Sequence, residues 1–276
     1  MLKARLFKAR LRVVLSVFFV ALSGWGLLHA QRPFKEFRGQ EYENFPLPPD
    51  WNKPAEWTRA RLRYNSFRGV HTFGDGFMQW TVDYPRSDRH FLQGIRRLSR
   101  IDVRSVEQVV DLDGDDDIYN WPSAYAVEVG HWNPTDEQAV QLREYLLRGG
   151  FLMTDDFHGT LEWNNFTEGM KKVFPDKQIV DLDNKDPIFH VIYDLDDKFQ
   201  VPGLQFLYTK SRYEYDGYEG KWRGVYDDHG RVMVAICHNM DLGDAWEHSD
   251  NPAYPERYAA LAYRIAVNYF VYDLTH

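Results

Sequence analysis

Short runs with the residue pattern of β-strands recur along the chain from residue 58 onward, and segments of helical periodicity separate most of them. This alternation predicts a layered α/β domain with an open, mainly parallel sheet and helices on both faces. The segment Trp222–His238 is interrupted by the polar turn Asp227–Gly230 and therefore predicts a hairpin. The predicted strands are Thr58–Tyr64, Val103–Val110, Ala124–Val129, Phe151–Thr154, Gln178–Leu182 and two within Trp222–His238.

Four segments show the spacing and end signals of helices. Asp88 is predicted to cap the first helix, and Thr135 with Gln138 forms a capping-box pair at the start of the second. The third helix is predicted over Asn164–Phe174. The fourth begins at Pro255, because proline is favoured at the first helical position.

The N-terminus has a different character from the rest of the chain. Five cations lie within residues 1–12, and an uncharged run from Val13 to Leu28 follows them. This pattern predicts a secretory signal peptide over residues 1–30, and therefore a periplasmic or secreted domain. An uncleaved membrane anchor is the alternative, although the run is shorter than the ~20 apolar residues that cross a bilayer.

The remainder divides into an extended lead-in and one domain. Residues 31–57 contain five prolines, which favours an extended surface segment over a helix or a central strand. Residues 58–276 form the predicted α/β domain. Cys237 is the only cysteine, so no intrachain disulfide forms, and the apolar residues before it predict a buried, inert thiol.

The chain is acidic, with 33 Lys and Arg against 41 Asp and Glu and a formal charge of −8. Nucleic-acid binding needs a basic face, so we expect no nucleic-acid partner. We expect membrane contact only through an uncleaved leader.

The candidate site residues follow predicted strands, because ligands of open α/β sheets bind beyond the carboxyl ends of the strands. Adjacent side chains of a strand point to opposite faces, so a sharp turn after Thr154 is needed to bring Asp155 or Asp156 to this rim as an acid or base. The structural alternative is that both aspartates cap the next element. The candidates for ligand binding or catalysis are Asp155, Asp156, His158, His131, His238, Asn239, Asp241, Asp244 and Glu247.

A metal site receives little support from the sequence. Asp241, Asp244 and Glu247 recur every three residues and would share one face of a helix, but Gly243 argues against a continuous helix there. Neighbouring histidines would add imidazole ligands, yet no recognised ligand spacing such as H-E-x-x-H occurs. The sequence therefore predicts no resident metal and no cofactor.

Five segments carry motifs of a known bacterial family in the same order: Leu142–Phe157, Val173–Pro175, Asp186–His190, Gly230–Arg231 and Asn239–Glu247. Together they resemble the domain-of-unknown-function family DUF4159, over about residues 58–276. The resemblance implies a flavodoxin-like fold similar to that of class I glutamine amidotransferases. It also permits a role in an envelope complex, because related members can be fused to membrane-anchored modules.

The same resemblance implies that glutaminase activity is absent. In glutaminases a Gly-Gly helix end and an apolar strand lead to a cysteine at a strained elbow, whereas here Gly149 and Gly150 lead to Asp155 and Asp156. The later His-x-Glu pair of the glutaminases is also missing. The position of the nucleophile therefore holds a carboxylate.

Two functions agree with these features. The first is an exported, non-catalytic domain that binds a small ligand, a glycan or an envelope protein partner at the rim. The alternative is a hydrolase that uses the carboxylates and histidines, with or without a metal ion. An enzyme requires those side chains to converge. Four tryptophans would either offer stacking surface or pack in the core: Trp132, Trp163, Trp222 and Trp246.

Overall fold

The computed structural model describes residues 32–38, 44–67 and 78–276, and its centre is a seven-stranded sheet. The strands are β1 (Ala60–Arg63), β2 (Gln108–Asp111), β3 (Ser123–Val127), β4 (Phe151–Asp155), β5 (Val180–Asp181), β6 (Lys221–Tyr226) and β7 (Val232–His238). Their order across the sheet is β2-β1-β3-β4-β7-β6-β5. The first five of these positions pair in parallel, and β6 runs antiparallel to both of its neighbours. The predicted α/β architecture with a mainly parallel sheet is confirmed.

Helices cover both faces of this sheet. They are α1 (Arg86–Leu98), α2 (Asp136–Leu147), α3 (Gly159–Val173), α4 (Phe206–Thr209), α5 (Leu242–Glu247) and α6 (Glu256–Thr275), with 3-10 turns at Gln79–Thr81, Ile118–Asn120, Val129–His131 and Pro187–Phe189. On one face α1, α5 and α6 pack into a core, and on the other face α2 and α3 pack into a second core. Alternate residues of β4 enter opposite cores, as the two-residue period of a strand requires.

Several local predictions are confirmed, with shifted ends. The hairpin of β6 and β7 is present, and α6 follows Pro255, which is its N-cap residue. Thr135 and Gln138 form the reciprocal capping box at the start of α2. Cys237 is buried on β7. The predicted second strand is shorter than expected, because it pairs as a strand only from Gln108.

The prediction that Asp88 caps the first helix is wrong. Helix α1 begins at Arg86, and the Asp88 side chain is completely buried. Its carboxylate accepts hydrogen bonds from Arg59 Nε and Nη2 at 3.1 and 2.7 Å. Arg61 Nη2 lies 3.1 Å from its other oxygen. Buried guanidinium groups need an ionic partner, so Asp88 is buried to pair with Arg59 and Arg61 and does not cap the helix.

The third helix and the region around Gly243 also differ from expectation. Helix α3 begins at Gly159, ahead of the predicted start at Asn164. The expectation that Gly243 interrupts a helix is wrong, because α5 runs through it. Both helix starts are held by side chains from distant segments, which local periodicity does not report.

The leader over residues 1–30 lies outside the described residues. Residues 32–38 and 44–56 contain no helix or strand. Among the residues with described structure, no helix has both the length and the apolar content that a membrane span requires.

Candidate functional site

Three parallel strands end at one edge of the sheet, and the chain turns sharply after each of them. The residues at these turns are Glu128 after β3, Asp156 after β4 and Asn239 after β7. Their φ angles are 54°, 52° and 62°, in the left-handed region. Asn and Asp tolerate this region better than most residues. The turns bring polar side chains to a common edge, which we call the rim.

Asp155 is a structural residue beneath the rim. Its Oδ2 accepts hydrogen bonds from the backbone N–H groups of Leu242 and Gly243 at 2.8 and 2.9 Å, and from Tyr125 Oη at 3.1 Å. These contacts fasten the start of α5 to the end of β4. Complete burial raises the pKa of Asp155 to about 7, although the hydrogen bonds oppose the rise.

Asp156 is the aspartate that the turn delivers to the rim. Strand β4 extends through Asp155, so the bend falls at Asp156 and not directly after Thr154 as expected. The backbone N–H of Asp156 donates to Met240 O at 3.0 Å, which ties this turn to the one after β7. The side chain lies 3.2 Å from His158 Nε2. The two predicted polar segments therefore meet.

Asp156 belongs to a cluster with Asp83 and Asp241, which we call the aspartate cluster. One carboxylate oxygen from each residue lies within 4.8 Å of the others. Asp156 and Asp241 are buried. Burial, together with the charges of neighbouring carboxylates, raises the pKa of all three groups well above its usual value. The arrangement is costly when every carboxylate is ionised.

Asp83 comes from the segment before α1 and completes the cluster from another part of the chain. Its φ is 60°, and its Oδ2 is buried without a hydrogen-bond donor among the described residues. A side-chain hydrogen bond with Glu247 lowers the pKa of Asp83 but does not outweigh burial. Gly243 leaves room for Asp83 Oδ2, since a Cβ there would lie 2.5 Å from it. Close packing therefore directs an unsatisfied oxygen toward the start of α5.

A second group at the rim consists of Glu128, His131 and Glu162. His131 Nε2 lies 3.3 Å from Glu128 Oε2 and 3.4 Å from Glu162 Oε1. Burial alone would lower the pKa of His131, but the two glutamates outweigh it and raise the pKa to about 10. The imidazole is therefore a cation at neutral pH. It compensates the two glutamates, whereas the aspartate cluster has no comparable cation among its own members.

A third group surrounds the start and end of α5. Asp241 is the N-cap and accepts from the backbone N–H of Asp244 at 2.7 Å. His248 Nε2 lies 3.4 Å from Asp244 Oδ1 and 3.6 Å from Glu247 Oε2. Burial opposes ionisation of Asp244, but its hydrogen bonds, chiefly with His248, outweigh burial and lower its pKa. The predicted residues Asp244 and Glu247 thus form a partly compensated pair beside the aspartate cluster.

The predicted histidines and Asn239 have different surroundings. Burial lowers the pKa of His158 to about 4, so this imidazole is neutral beside Asp156 at neutral pH. Burial likewise lowers the pKa of His238 to about 4, and its ring lies against Trp163 and accepts from Arg223 Nη1 at 3.1 Å. Asn239 Oδ1 accepts from the backbone of Gly159 at 2.8 Å. His238 and Asn239 therefore support α3.

Two of the four tryptophans considered as a stacking surface are core residues. Trp132 and Trp246 are buried in the two cores and offer no face to a ligand. Trp163 and Trp222 are partly buried against the cores.

Sequence reasoning missed four acidic residues of the rim. Glu128 could have been predicted, because it lies near the end of the predicted strand Ala124–Val129. The other three lie in loops or in the first turn of a helix, where no local sequence pattern indicates a site. The missed residues are Asp83, Glu128, Glu162 and Glu214.

The comparison with protein families decides what this chain is related to. The family described as Domain of unknown function (DUF4159) matches residues 59–274. The chain belongs to the DUF4159 family. The comparison with curated proteins finds no match. The resemblance inferred from the sequence motifs is thus confirmed, and the chemistry of this DUF4159 domain has to be argued from its own rim.

Proposed function

We propose that this DUF4159 domain binds a divalent cation at the aspartate cluster, and that the bound cation recruits a small ligand to the rim. The observation that carries the proposal is the convergence of Asp83, Asp156 and Asp241, with one oxygen of each within 4.8 Å of the others. Oxygen ligands in such a set suit a hard cation such as Ca²⁺, Mg²⁺ or Mn²⁺.

Electrostatics supports a cation at this position. The charge of Asp83 raises the pKa of Asp156 and of Asp241, and the charge of Asp156 raises the pKa of Asp241. Full ionisation of the cluster is therefore unfavourable unless a cation compensates it. A divalent cation would displace protons from the cluster and satisfy the free Oδ2 of Asp83.

Arg61 lowers the pKa of Asp83 through its charge, but its Nη2 contacts Val82 O and Asp88, and its Nε and Nη1 make no hydrogen bond to any described residue. Arg61 therefore compensates Asp83 by charge alone and leaves its Oδ2 without a hydrogen-bond donor.

Calorimetric titration of the domain with Ca²⁺, Mg²⁺ and Mn²⁺ tests this proposal. We expect binding with proton release, which two buffers of different ionisation enthalpy would reveal. Asp156→Asn and Asp241→Asn should weaken binding at least about tenfold, since each removes one anionic ligand. Asparagine tolerates the left-handed turn at residue 156 and is a good N-cap at residue 241, so both variants should fold.

Asp228→Asn is the matched control, because Asp228 has an 88% exposed side chain on the hairpin turn. Its cation affinity should equal that of the parent domain. An absence of binding in the parent, or equal affinity in both cluster variants, would contradict the proposal.

Hydrolysis is the second candidate, and the position of Asp156 favours it. This residue occupies the turn directly after β4, where a carboxylate replaces the glutaminase cysteine, and His158 Nε2 lies 3.2 Å from its Oδ1. Burial and neighbouring carboxylates raise the pKa of Asp156, which suits a group that takes up and returns a proton. Hydrolysis of chromogenic ester and phosphate substrates that depends on both a divalent cation and Asp156 would support catalysis. Cation binding without turnover supports a binding domain.

A flavodoxin-like arrangement, similar to class I glutamine amidotransferases, is part of the proposal. The strand order 2-1-3-4 followed by the parallel β7 supports it, because flavodoxin-like sheets have the order 2-1-3-4-5. We do not propose glutaminase activity, since the expected nucleophile is replaced by carboxylate.

We also propose that the domain acts in the periplasm or outside the cell, on a small-molecule, glycan or envelope protein partner. The cationic leader and apolar run of residues 1–30 support export. Cell fractionation with N-terminal sequencing of the exported form tests this. A chain that retains its leader in the cytoplasm would contradict export, and a membrane-bound chain with an intact leader would indicate an anchor.

A further inference from the structure

A segment rich in exposed tyrosine borders the rim. Four tyrosines within residues 208–218, here called the tyrosine segment, project outward. Their side chains are 79%, 42%, 72% and 64% exposed, in the order Tyr208, Tyr213, Tyr215 and Tyr218. The rings of Tyr213 and Tyr218 meet edge to face, with centroids 4.7 Å apart. Exposed aromatic groups collected in one segment mark an interaction surface.

Hydrogen bonds hold this segment against the rim. Asp216 Oδ1 accepts from the backbone N–H of Thr160 at 2.8 Å, and Thr160 Oγ1 donates to the other oxygen of Asp216. Gln200 Nε2 donates to both Gly217 O and Asn239 O, at 2.8 and 2.9 Å. The chain around Asp216 and Gly217 is therefore fixed relative to the start of α3 and the turn after β7.

The segment also contributes to the acidic rim itself. Glu214 Oε1 lies 3.9 Å from His158 Nε2, and burial with the charges of Glu128 and Glu162 raises the pKa of Glu214 to about 7. Burial and the charges of the same rim carboxylates raise the pKa of Tyr215. Because His158 Nε2 also lies 3.2 Å from Asp156 Oδ1, the contact of Glu214 places the tyrosine segment beside the proposed cation site.

We propose that the tyrosine segment and the rim together bind a neutral glycan, an inference that rests on the proposed cation site. Tyrosine faces pack against the C–H faces of pyranose rings and also offer a hydroxyl group. A cation bound at the aspartate cluster would offer open ligand positions to adjacent sugar hydroxyls, and rim carboxylates such as Glu214 would accept hydrogen bonds from other hydroxyls.

The charges in the segment favour a neutral ligand over the two charged alternatives. Lys210 and Arg212 lie between Tyr208 and Tyr213, so a basic peptide would meet like charges at that end. An anionic chain would meet Glu214 and the other carboxylates at the rim. A neutral polyhydroxylated chain meets no like charge at either the basic end of the segment or the acidic rim.

The test measures binding of chitohexaose, cellohexaose and maltohexaose to the whole domain by calorimetry, with and without divalent cation. We expect at least one hexasaccharide to bind in a cation-dependent manner. The double variant Tyr208→Ala with Tyr218→Ala should bind it about tenfold more weakly while its cation affinity is unchanged. The control is Val140→Ala, which truncates a 65% exposed side chain on α2 and should bind like the parent.

Failure of this inference and failure of the cation site give different results. Cation binding without binding of any hexasaccharide, or equal saccharide affinity in the double variant, would overturn the glycan proposal alone. Binding of deca-lysine in place of the saccharides would also overturn it. Saccharide binding that depends on the two tyrosines in a domain that binds no divalent cation would support the tyrosine surface and contradict the cation site.

Discussion

Asp155 provides a test of the electrostatics beneath the rim that does not depend on any ligand. The carboxylate is fully buried, and Leu242, Gly243 and Tyr125 donate to one of its oxygens while the other has no partner among the described residues. Asp155→Asn keeps an oxygen acceptor and nearly the same volume but removes the ionisation. We therefore expect it to remove a pH-dependent part of the folding free energy.

The sign follows from the direction of the pKa shift. The pKa of Asp155 is about 7 in the folded domain against 3.8 for a free aspartate, so the folded state binds the proton more tightly than the unfolded chain. The stabilising contribution of this group is complete below about pH 4 and is lost as the pH rises to about 7. A shift of roughly three pH units corresponds to roughly 4 kcal/mol.

Urea unfolding of the parent and of Asp155→Asn, at several pH values between about 4 and 8, measures this effect. The free energy of unfolding of the variant relative to the parent should rise by up to roughly 4 kcal/mol across that range. Glu168→Gln is the control, because Glu168 has a 67% exposed side chain on α3 and should give a flat difference. A flat difference for Asp155→Asn would refute the assignment of the raised pKa to Asp155.

Three further predictions concern the core, the rim and its histidine. Arg61→Met should destabilise the domain by about 3 kcal/mol, because it removes one of the two guanidinium partners of the buried Asp88 carboxylate. An unchanged midpoint of urea unfolding would argue against this ion pair. Gly243→Ala should weaken divalent-cation affinity about tenfold by moving Asp83 Oδ2, which lies 2.5 Å from the new Cβ, and equal calorimetric affinity would speak against that geometry. The His131 ring-proton NMR signals should not titrate between about pH 6 and 8, given a pKa of about 10; a midpoint in that range would exclude the two-glutamate contact.

Much of the architecture was predictable from local patterns. The strands near residues 125, 152 and 235 lie in apolar runs, and the strand near residue 60 alternates apolar residues with arginine. The capping box of Thr135 and Gln138 is a contact across three residues. Such features depend on burial and hydrogen bonding between near neighbours. The sequence therefore reports them without knowledge of the rest of the fold.

The starts of α3 and α5 were not predictable in the same way. The backbone of Gly159 donates to Asn239, and that of Thr160 donates to Asp216. At the start of α5, Leu242 and Gly243 donate to Asp155, 87 and 88 residues away. These helix starts depend on acceptors that only the folded chain brings near.

Some rim residues could likewise be predicted from the sequence, and others could not. Asp156, His158 and Asp241 were predicted because they follow strands whose carboxyl ends meet in any parallel sheet. Asp83 was not predicted, because it lies in a segment before α1 with no signal of its own.

The order of apolar and polar residues was enough to indicate an acidic α/β domain with a polar edge, because the periodicity of side-chain burial is a property of each segment alone. Which carboxylates stand together, and which of them have a compensating cation, was settled by the folded chain. The physical reason is that electrostatic free energy depends on distances between charges, and the strand order of the sheet determines those distances for residues far apart in sequence.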